Sequence, residues 1–356
     1  MQANPIISTK QLHGFEQLLA GVDIDALDMT PYAKRYLQHI ILHKKYYLRI
    51  YARLLELVLQ TPPAAANPVG GLAATNTKNI SLIDYGAGNG ILGLLAKHCG
   101  FKKVYCNELS ADFLHAAKQL AAAMKISLDG FIEGDIEQVK QYFTANTLNV
   151  IVSTDVLEHI YSLEHFFATI KEINPAMITV MSTACNPANY FKTREFKMLQ
   201  VKDELYGGGP GDNTLFGETA MEPFINTRKK IIADFGASQL SPEQVNELAI
   251  ATRGFRKDDI EKAVGKFISD KIMPVLITHP TNTCDPMTGS WSERLLEFEE
   301  YKRIYSHAGF EVKFYDGFYN EYESSFKCKL LFAVNKMIPL TGHRLSPFVI
   351  LVGKQR

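Results

Sequence analysis

One short stretch does most to limit what this chain can fold into. Leu82-Ile83-Asp84-Tyr85-Gly86-Ala87-Gly88-Asn89-Gly90-Ile91-Leu92-Gly93 runs from an apolar strand, through an acid and a glycine-rich bend, into a helix. Glycines are needed in such a bend for two reasons. They accept backbone angles that a Cβ forbids, and they let a ligand approach the main chain. The helix that follows points its first free N–H groups toward whatever the bend holds.

The flanking sequence repeats the strand-and-helix rhythm. Ile80–Asp84, Lys103–Asn107, Gly130–Glu133, Asn149–Thr154 and Met177–Ser182 read as strands. Helical patterns lie around Ile91–Cys99, Asp112–Met124 and Leu163–Ile173. Alternation of this kind predicts a parallel sheet with helical crossovers.

Before this block, residues 1–60 read as an N-terminal helical region. Residues 61–79, with Pro62, Pro63, Pro68, Gly70 and Gly71, have linker composition. Residues 80–185 form the first half of the α/β core. Residues 186–290 break the rhythm and read as a mostly helical insertion or cap. Ser241-Pro242-Glu243-Gln244 in it is a helix start, and a second helix covers Lys257 to Lys271. The α/β pattern resumes over 291–356. There Ser292 is placed to cap a helix running to His307, Glu311–Phe318 reads as a strand, Phe326–Ile338 as a helix and Pro347–Gly353 as a last strand.

Composition narrows the function classes. The chain has 356 residues, and its 38 Lys plus Arg balance 38 Asp plus Glu. That balance argues against a global electrostatic grip on nucleic acid, so no nucleic-acid partner is expected. No run approaches the ~20 apolar residues of a membrane span. Five scattered cysteines include no C-x-x-C pair, which disfavours a cysteine zinc site and suits reduced thiols in a cytoplasmic protein. Met1 to Lys10 contains no apolar run of signal-peptide length.

Two ligand readings of the bend compete. Gly88-x-Gly90-x-x-Gly93 matches the dinucleotide fingerprint, whose first glycine should follow the strand directly. Here Asp84-x-Gly86 intervenes, and an acid at the strand tip suits a ligand bearing an ammonium. Asp84 to Gly90 resembles the first motif of class I S-adenosylmethionine-dependent methyltransferases. Val104-Tyr105-Cys106-Asn107-Glu108 ends a second strand in an acid 18 residues after Gly90. Gly134-Asp135-Ile136 resembles the third motif of that family. Ser153 to Ile160 is similar to the segment after the fourth strand in its ubiquinone-biosynthesis-like small-molecule members, and Ala308-Gly309-Phe310-Glu311-Val312 to a late helix-to-strand junction.

The resemblance covers roughly 80–185 and 291–356. It implies a Rossmann-like, doubly wound, mostly parallel seven-stranded sheet, with the N-terminal helices and the insertion as additions. It implies S-adenosylmethionine as cofactor, S-adenosylhomocysteine as product, and a small organic acceptor. Its cofactor-binding set is Asp84, Gly86, Ala87, Gly88, Gly90, Glu108, Leu109, Asp135, Ile136 and Asp155.

Methyl transfer from a sulfonium asks mainly for alignment and exclusion of water. A base is needed only where the acceptor must lose a proton. His159 is the leading candidate, with Glu158 beside it, and oxygen is the slightly preferred acceptor atom. The pair Glu158–His159 is a weak metal signal, and no metal is assigned. Asn186, Asn189 and Tyr190 after the fifth strand, and His279 and Trp291 around an irregular polar loop, are the candidate acceptor-binding residues. Tyr206 and the run Gly207 to Gly211 read as a lid. A macromolecular acceptor, an NAD-type oxidoreductase and a non-catalytic nucleotide-binding protein stay open as alternatives.

Overall fold

The computed structural model describes residues 7–61, 77–143, 147–208, 221–275, 282–322 and 326–355. The proposed lid residues Gly209 to Gly211, most of the 61–79 linker and His279 lie outside them. The chain divides into two compact units. One comprises Met1–Leu157, Leu163–Ala184 and Phe298–Arg356, the other Glu158–Ser162 and Cys185–Glu297.

The first unit opens with three helices, α1 (Thr9–Ala20), α2 (Pro31–Leu42) and α3 (Lys44–Gln60). Ser8 and Gln11 form a capping box on α1, and Thr30 with Pro31 starts α2. The α/β alternation follows as β1 (Ser81–Tyr85), α4 (Ile91–His98), β2 (Lys103–Glu108), α5 (Ala111–Ala123), β3 (Gly130–Glu133), α6 (Ile136–Tyr142), β4 (Val150–Thr154), α7 (Leu163–Ile173) and β5 (Ile178–Thr183). In the second unit lie α8 (Tyr190–Leu205), α9 (Phe224–Gly236), α10 (Pro242–Ala251) and α11 (Lys257–Asp270). The chain then returns to the first unit with α12 (Phe298–His307), β6 (Phe310–Asp316), α13 (Phe326–Thr341) and β7 (Val349–Gln355).

The strands form one seven-stranded sheet in the order β3-β2-β1-β4-β5-β7-β6. Strands β1 to β5 pair in parallel, and β7 runs antiparallel between β5 and β6. This is the Rossmann-like, mostly parallel arrangement expected. The strand order reverses between β1 and β4, which makes their carboxyl ends the switch point of the sheet.

Alternate strand residues face opposite sides. Leu82, Val150, Val152, Ile178, Val180, Ile350 and Val352 share one core with Leu19, Leu54, Leu55, Val58 and Leu95 of α1, α3 and α4. On the other side Tyr85 packs on Phe166, and Phe167 on Tyr305. The N-terminal helices thus complete the sheet's core. Among the described residues no helix is long and apolar enough to cross a membrane.

Two elements differ from the sequence reading. Residues 292–297 are irregular, so the helix expected from Ser292 begins at Phe298. Ser292 turns inward, hydrogen-bonding Asp203 through its hydroxyl and Thr283 through its amide. Helix α6, only seven residues long, escaped the pattern; Asp135 and Gln138 start it with a capping box.

The second unit has a small apolar core around Ile232, Leu248, Ile260 and Val264. Beside it lies a buried polar knot. Glu204 binds the Arg228 guanidinium and accepts from Thr283 Oγ1 at 2.8 Å, and Arg228 Nε donates to the Ala249 carbonyl at 2.9 Å. Arg228 is fully buried. Removing the carboxylate leaves that cation uncompensated in a low-dielectric interior. We therefore expect Glu204→Ala to cost about 3–5 kcal/mol in denaturant unfolding of this unit. A loss below about 1 kcal/mol would show that water reaches Arg228.

Candidate active site

The bend after β1 is held by carboxylates at the ends of two neighbouring strands. Asp84 is buried, and its Oδ2 accepts the Gly93 amide at 2.8 Å, which ties the tip of β1 to the first turn of α4. Glu108 stands at the end of β2. It accepts the Gly88 amide at 2.8 Å and the Ser110 amide at 3.0 Å. Ala87 donates to the Asn107 carbonyl at 2.9 Å, so the bend is laced to β2 along its length.

Three glycines take backbone angles that disfavour side chains. Gly86, Gly88 and Gly90 have φ of +66°, +52° and +76°. A Cβ at Gly86 would meet Val156 at 2.5 Å, and one at Gly90 would meet Ala117 at 3.0 Å. At Gly88 the nearest atom would be Tyr36 Cε1, at 3.4 Å. Gly86 and Gly90 therefore allow close packing, whereas a Cβ at Gly88 would be in ordinary contact with Tyr36. Helix α2 sits over this spot, since Asn89 also donates to the Ala33 carbonyl at 3.2 Å.

Electrostatics set Asp84 apart. Burial pushes its carboxyl up to about 7, the Gly93 amide pulls the other way, and Glu108 adds to the rise. The tyrosines of α2 and α3 are likewise pushed up by burial, with the Asp155 charge adding to the shift of Tyr36, Tyr46, Tyr47 and Tyr51. Asp155 itself has φ +53°, an uncommon angle for a residue with a side chain, and its amide donates to the Ser182 carbonyl at 3.1 Å. Strained backbone of this kind clusters at functional sites.

The remaining residues of the expected cofactor set lie along the same sheet edge. Leu109 is 72% exposed, an apolar side chain left open beside Glu108. Asp135 caps α6 through the Glu137 amide at 2.8 Å, and Ile136 is buried. Asn107, buried, donates to the Ile132 and Gly134 carbonyls and pins the ends of β2 and β3 together.

The candidate catalytic and acceptor residues belong to the second unit. His159 Nδ1 lies 2.8 Å from the Trp291 carbonyl. A carbonyl can only accept, so Nδ1 carries the proton, and in the neutral ring Nε2 is left as the acceptor. The Trp291 amide returns a bond to the His159 carbonyl at 3.2 Å, and its indole Nε1 donates to the Tyr161 carbonyl at 3.0 Å. Trp291 is further clamped by Tyr161, stacked at 6.2 Å, and by the Arg294 guanidinium at 4.3 Å. Tyr161 Oη in turn donates to Asp259 at 2.6 Å.

Asn189 is buried and caps α8 by accepting the Phe191 and Lys192 amides, both at 3.1 Å. Asn186, also buried, accepts the Ala188 amide at 3.1 Å. Tyr190 is exposed and helps line an open cavity of about 550 Å³ with Met198, Val201 and Tyr206.

Sequence reasoning missed two features. Tyr36 faces Gly88, and only the return of α2 onto the bend reveals it. Glu158, Cys185 and Glu293 bring their ligand atoms within 4.8 Å of one another, although Glu293 lies far along the chain.

Asp84 makes a pH dependence. Its folded value is raised above the unfolded one, so its stabilising contribution is full below about pH 4 and is lost as pH rises through about 7. We expect the melting temperature of Asp84→Asn, relative to the native chain, to rise between pH 5 and pH 8. A gap that stays constant over that range would show that Asp84 does not titrate there.

Residues 76–246, from just before β1 into α10, match the family model described as a methyltransferase domain. The ribosomal protein L11 methyltransferase of Acinetobacter baumannii (strain SDF) is 35% identical over 97 residues, covering 27% of this chain and 32% of that protein. The matched part thus spans about a third of the length of its curated relatives. Among solved structures, a SAM dependent methyltransferase from Archaeoglobus fulgidus aligns over 89% of this chain and 99% of its own, at 12% identity and a TM-score of 0.41. One from Aquifex aeolicus aligns over 29% and 56%, at 21% identity and a TM-score of 0.25. The matched residues 76–246 include the glycine bend at the switch point of the sheet.

Proposed function

We propose that this chain is an S-adenosylmethionine-dependent methyltransferase acting on a small organic acceptor, with oxygen the preferred acceptor atom. The observation that carries the reading is the bend itself. Three positive-φ glycines lie between a buried carboxylate on β1 and a second carboxylate on β2.

These residues fit that cofactor. Gly88 has a φ of +52° and is faced by Tyr36 of α2, so any added side chain there is strained. Asp84 is held near neutrality by burial, and a ligand ammonium nearby would offset that cost. Glu108 spends one lone pair of each oxygen on the Gly88 and Ser110 amides, and each oxygen keeps another for a ribose hydroxyl. Leu109 offers apolar surface to a base, and Asp135 and Ile136 stand next along the edge. When bound, the cofactor supplies a methyl group on a sulfonium, which leaves as a neutral thioether.

The chain's own residues would orient and dehydrate the reactants. His159 is held by the Trp291 carbonyl, so its Nε2 is the atom to take a proton from a hydroxyl acceptor, with Glu158 adjacent in sequence. Asn186, Asn189 and Tyr190 follow β5, and Trp291 fixes the histidine's loop; these make up the proposed acceptor side. Five buried cysteines outside any disulfide support the expectation of a reducing, cytoplasmic setting.

A second reading takes a protein side chain as acceptor. It is favoured by the relative that is a ribosomal protein L11 methyltransferase. Incubation with the methyl-labelled donor separates the two: label in small-molecule acceptors supports the first, label confined to protein the second.

Calorimetric titration tests the cofactor site. S-adenosylhomocysteine should bind and NAD should not. Gly88→Val should abolish binding while leaving the far-ultraviolet spectrum intact; unchanged affinity would move the pocket elsewhere. His159→Ala should keep cofactor affinity within about twofold and slow turnover by about 10²–10⁴. An unaltered rate would remove it as the base.

A further inference from the structure

Helix α13 presents its apolar side chains to solvent. One side of it, marked by buried Cys328 and Ile338 and half-buried Leu331 and Asn335, rests on the first unit. Asn335 fixes that orientation, since its side chain accepts the Tyr319 amide at 2.8 Å and donates to the Tyr319 carbonyl at 3.0 Å. The opposite side carries Phe326, Leu330, Met337 and Leu340, which are 84%, 59%, 50% and 87% exposed. With Ala333 they recur at steps of four and three, so they form one continuous stripe. Phe332 lies exposed beside it, with Lys336 Nζ 4.3 Å from its ring centroid.

Charge identifies what would cover this stripe. The exposed cations of α13 are Lys329 and Lys336, and residues 326–341 contain no Asp or Glu. A second copy docking through the stripe would bring these cations against their own kind, a destabilising arrangement. An anionic bilayer surface satisfies both features at once. Apolar side chains enter the boundary of the acyl region, and exposed Lys329 and Lys336 reach the headgroup phosphates. The helix has 16 residues, about 24 Å, so it lies on a membrane and is too short to span one.

We infer that α13 is a membrane-docking helix that seats the first unit on anionic lipid. This inference does not rest on the proposed cofactor or acceptor. The test is cosedimentation of the full chain with vesicles of phosphatidylcholine alone, or of phosphatidylcholine containing phosphatidylglycerol. Binding is expected to the anionic vesicles, to weaken in high salt, and to be lost in the double variant Phe326→Glu, Leu340→Glu. Lys329→Gln with Lys336→Gln should lower the partition coefficient about fivefold per lysine. Circular dichroism and the melting temperature of each variant should match those of the native chain, because all four side chains are exposed. The inference is overturned if anionic vesicles bring down no protein, or if the glutamate variant binds as well as the native chain. It is equally overturned if light scattering shows that the variant dissolves a dimer while vesicles bind neither protein.

Discussion

The bond from the Gly88 amide to the Glu108 carboxylate, with its counterpart from Gly93 to Asp84, is the constraint on which the rest of the site depends. A strand leaving a parallel sheet must reverse into a helix within a few residues. Here that reversal is stabilised by carboxylates from two adjacent strands, each accepting a backbone N–H. Acidic groups at such positions are costly when buried, and Asp84 shows the cost in its raised proton affinity. A backbone bend flanked by two carboxylates results.

The sheet order places this bend where the chain changes direction. β1 and β4 are neighbours in the sheet but are separated in sequence by β2 and β3. Their carboxyl ends therefore form the switch point of the sheet. Val156, just past β4, approaches Gly86 closely enough that a Cβ there would clash. On the other side, α2 delivers Tyr36 to Gly88. The N-terminal helices thus contribute to the surroundings of the bend as well as to the core behind the sheet. In the second unit, polarity is internal. Glu204, Arg228, Thr283, Gln200 and Asn282 are buried and cross-linked, whereas Met198, Leu205 and Tyr206 are exposed on the same stretch of chain. Each such polar contact is directional, so these residues specify one arrangement of a unit whose apolar core is small.

Much of this was legible in the order of residues. Gly130–Glu133 and Leu163–Ile173 are delimited in the structure as the pattern places them, because each segment keeps one periodicity from end to end. The helix start at Ser241 is equally clear, since a capping box is a local arrangement of two side chains, Ser241 and Gln244, and the backbone between them. Local signals misled where a distant partner won. Ser292 has the chemistry of a cap, yet Asp203 and Thr283 claim it. The short α6 offers too few turns for its period to stand out. Glycine identity in the bend was readable, but the separate duties of Gly86, Gly88 and Gly90 depend on what lies opposite each of them.

The amino-acid sequence by itself determined the α/β alternation, the bend between Asp84 and Glu108, and the helical character of both additions. These follow from near-neighbour periodicity, glycine's freedom and capping chemistry, all of which act within a few residues. Only the tertiary structure decided that β7 inserts antiparallel between β5 and β6, that Tyr36 faces Gly88, that Trp291 holds His159, and that α13 turns its apolar stripe outward. Each of those joins residues far apart in the chain or selects one face of a helix, and such choices are made by packing summed over the whole unit.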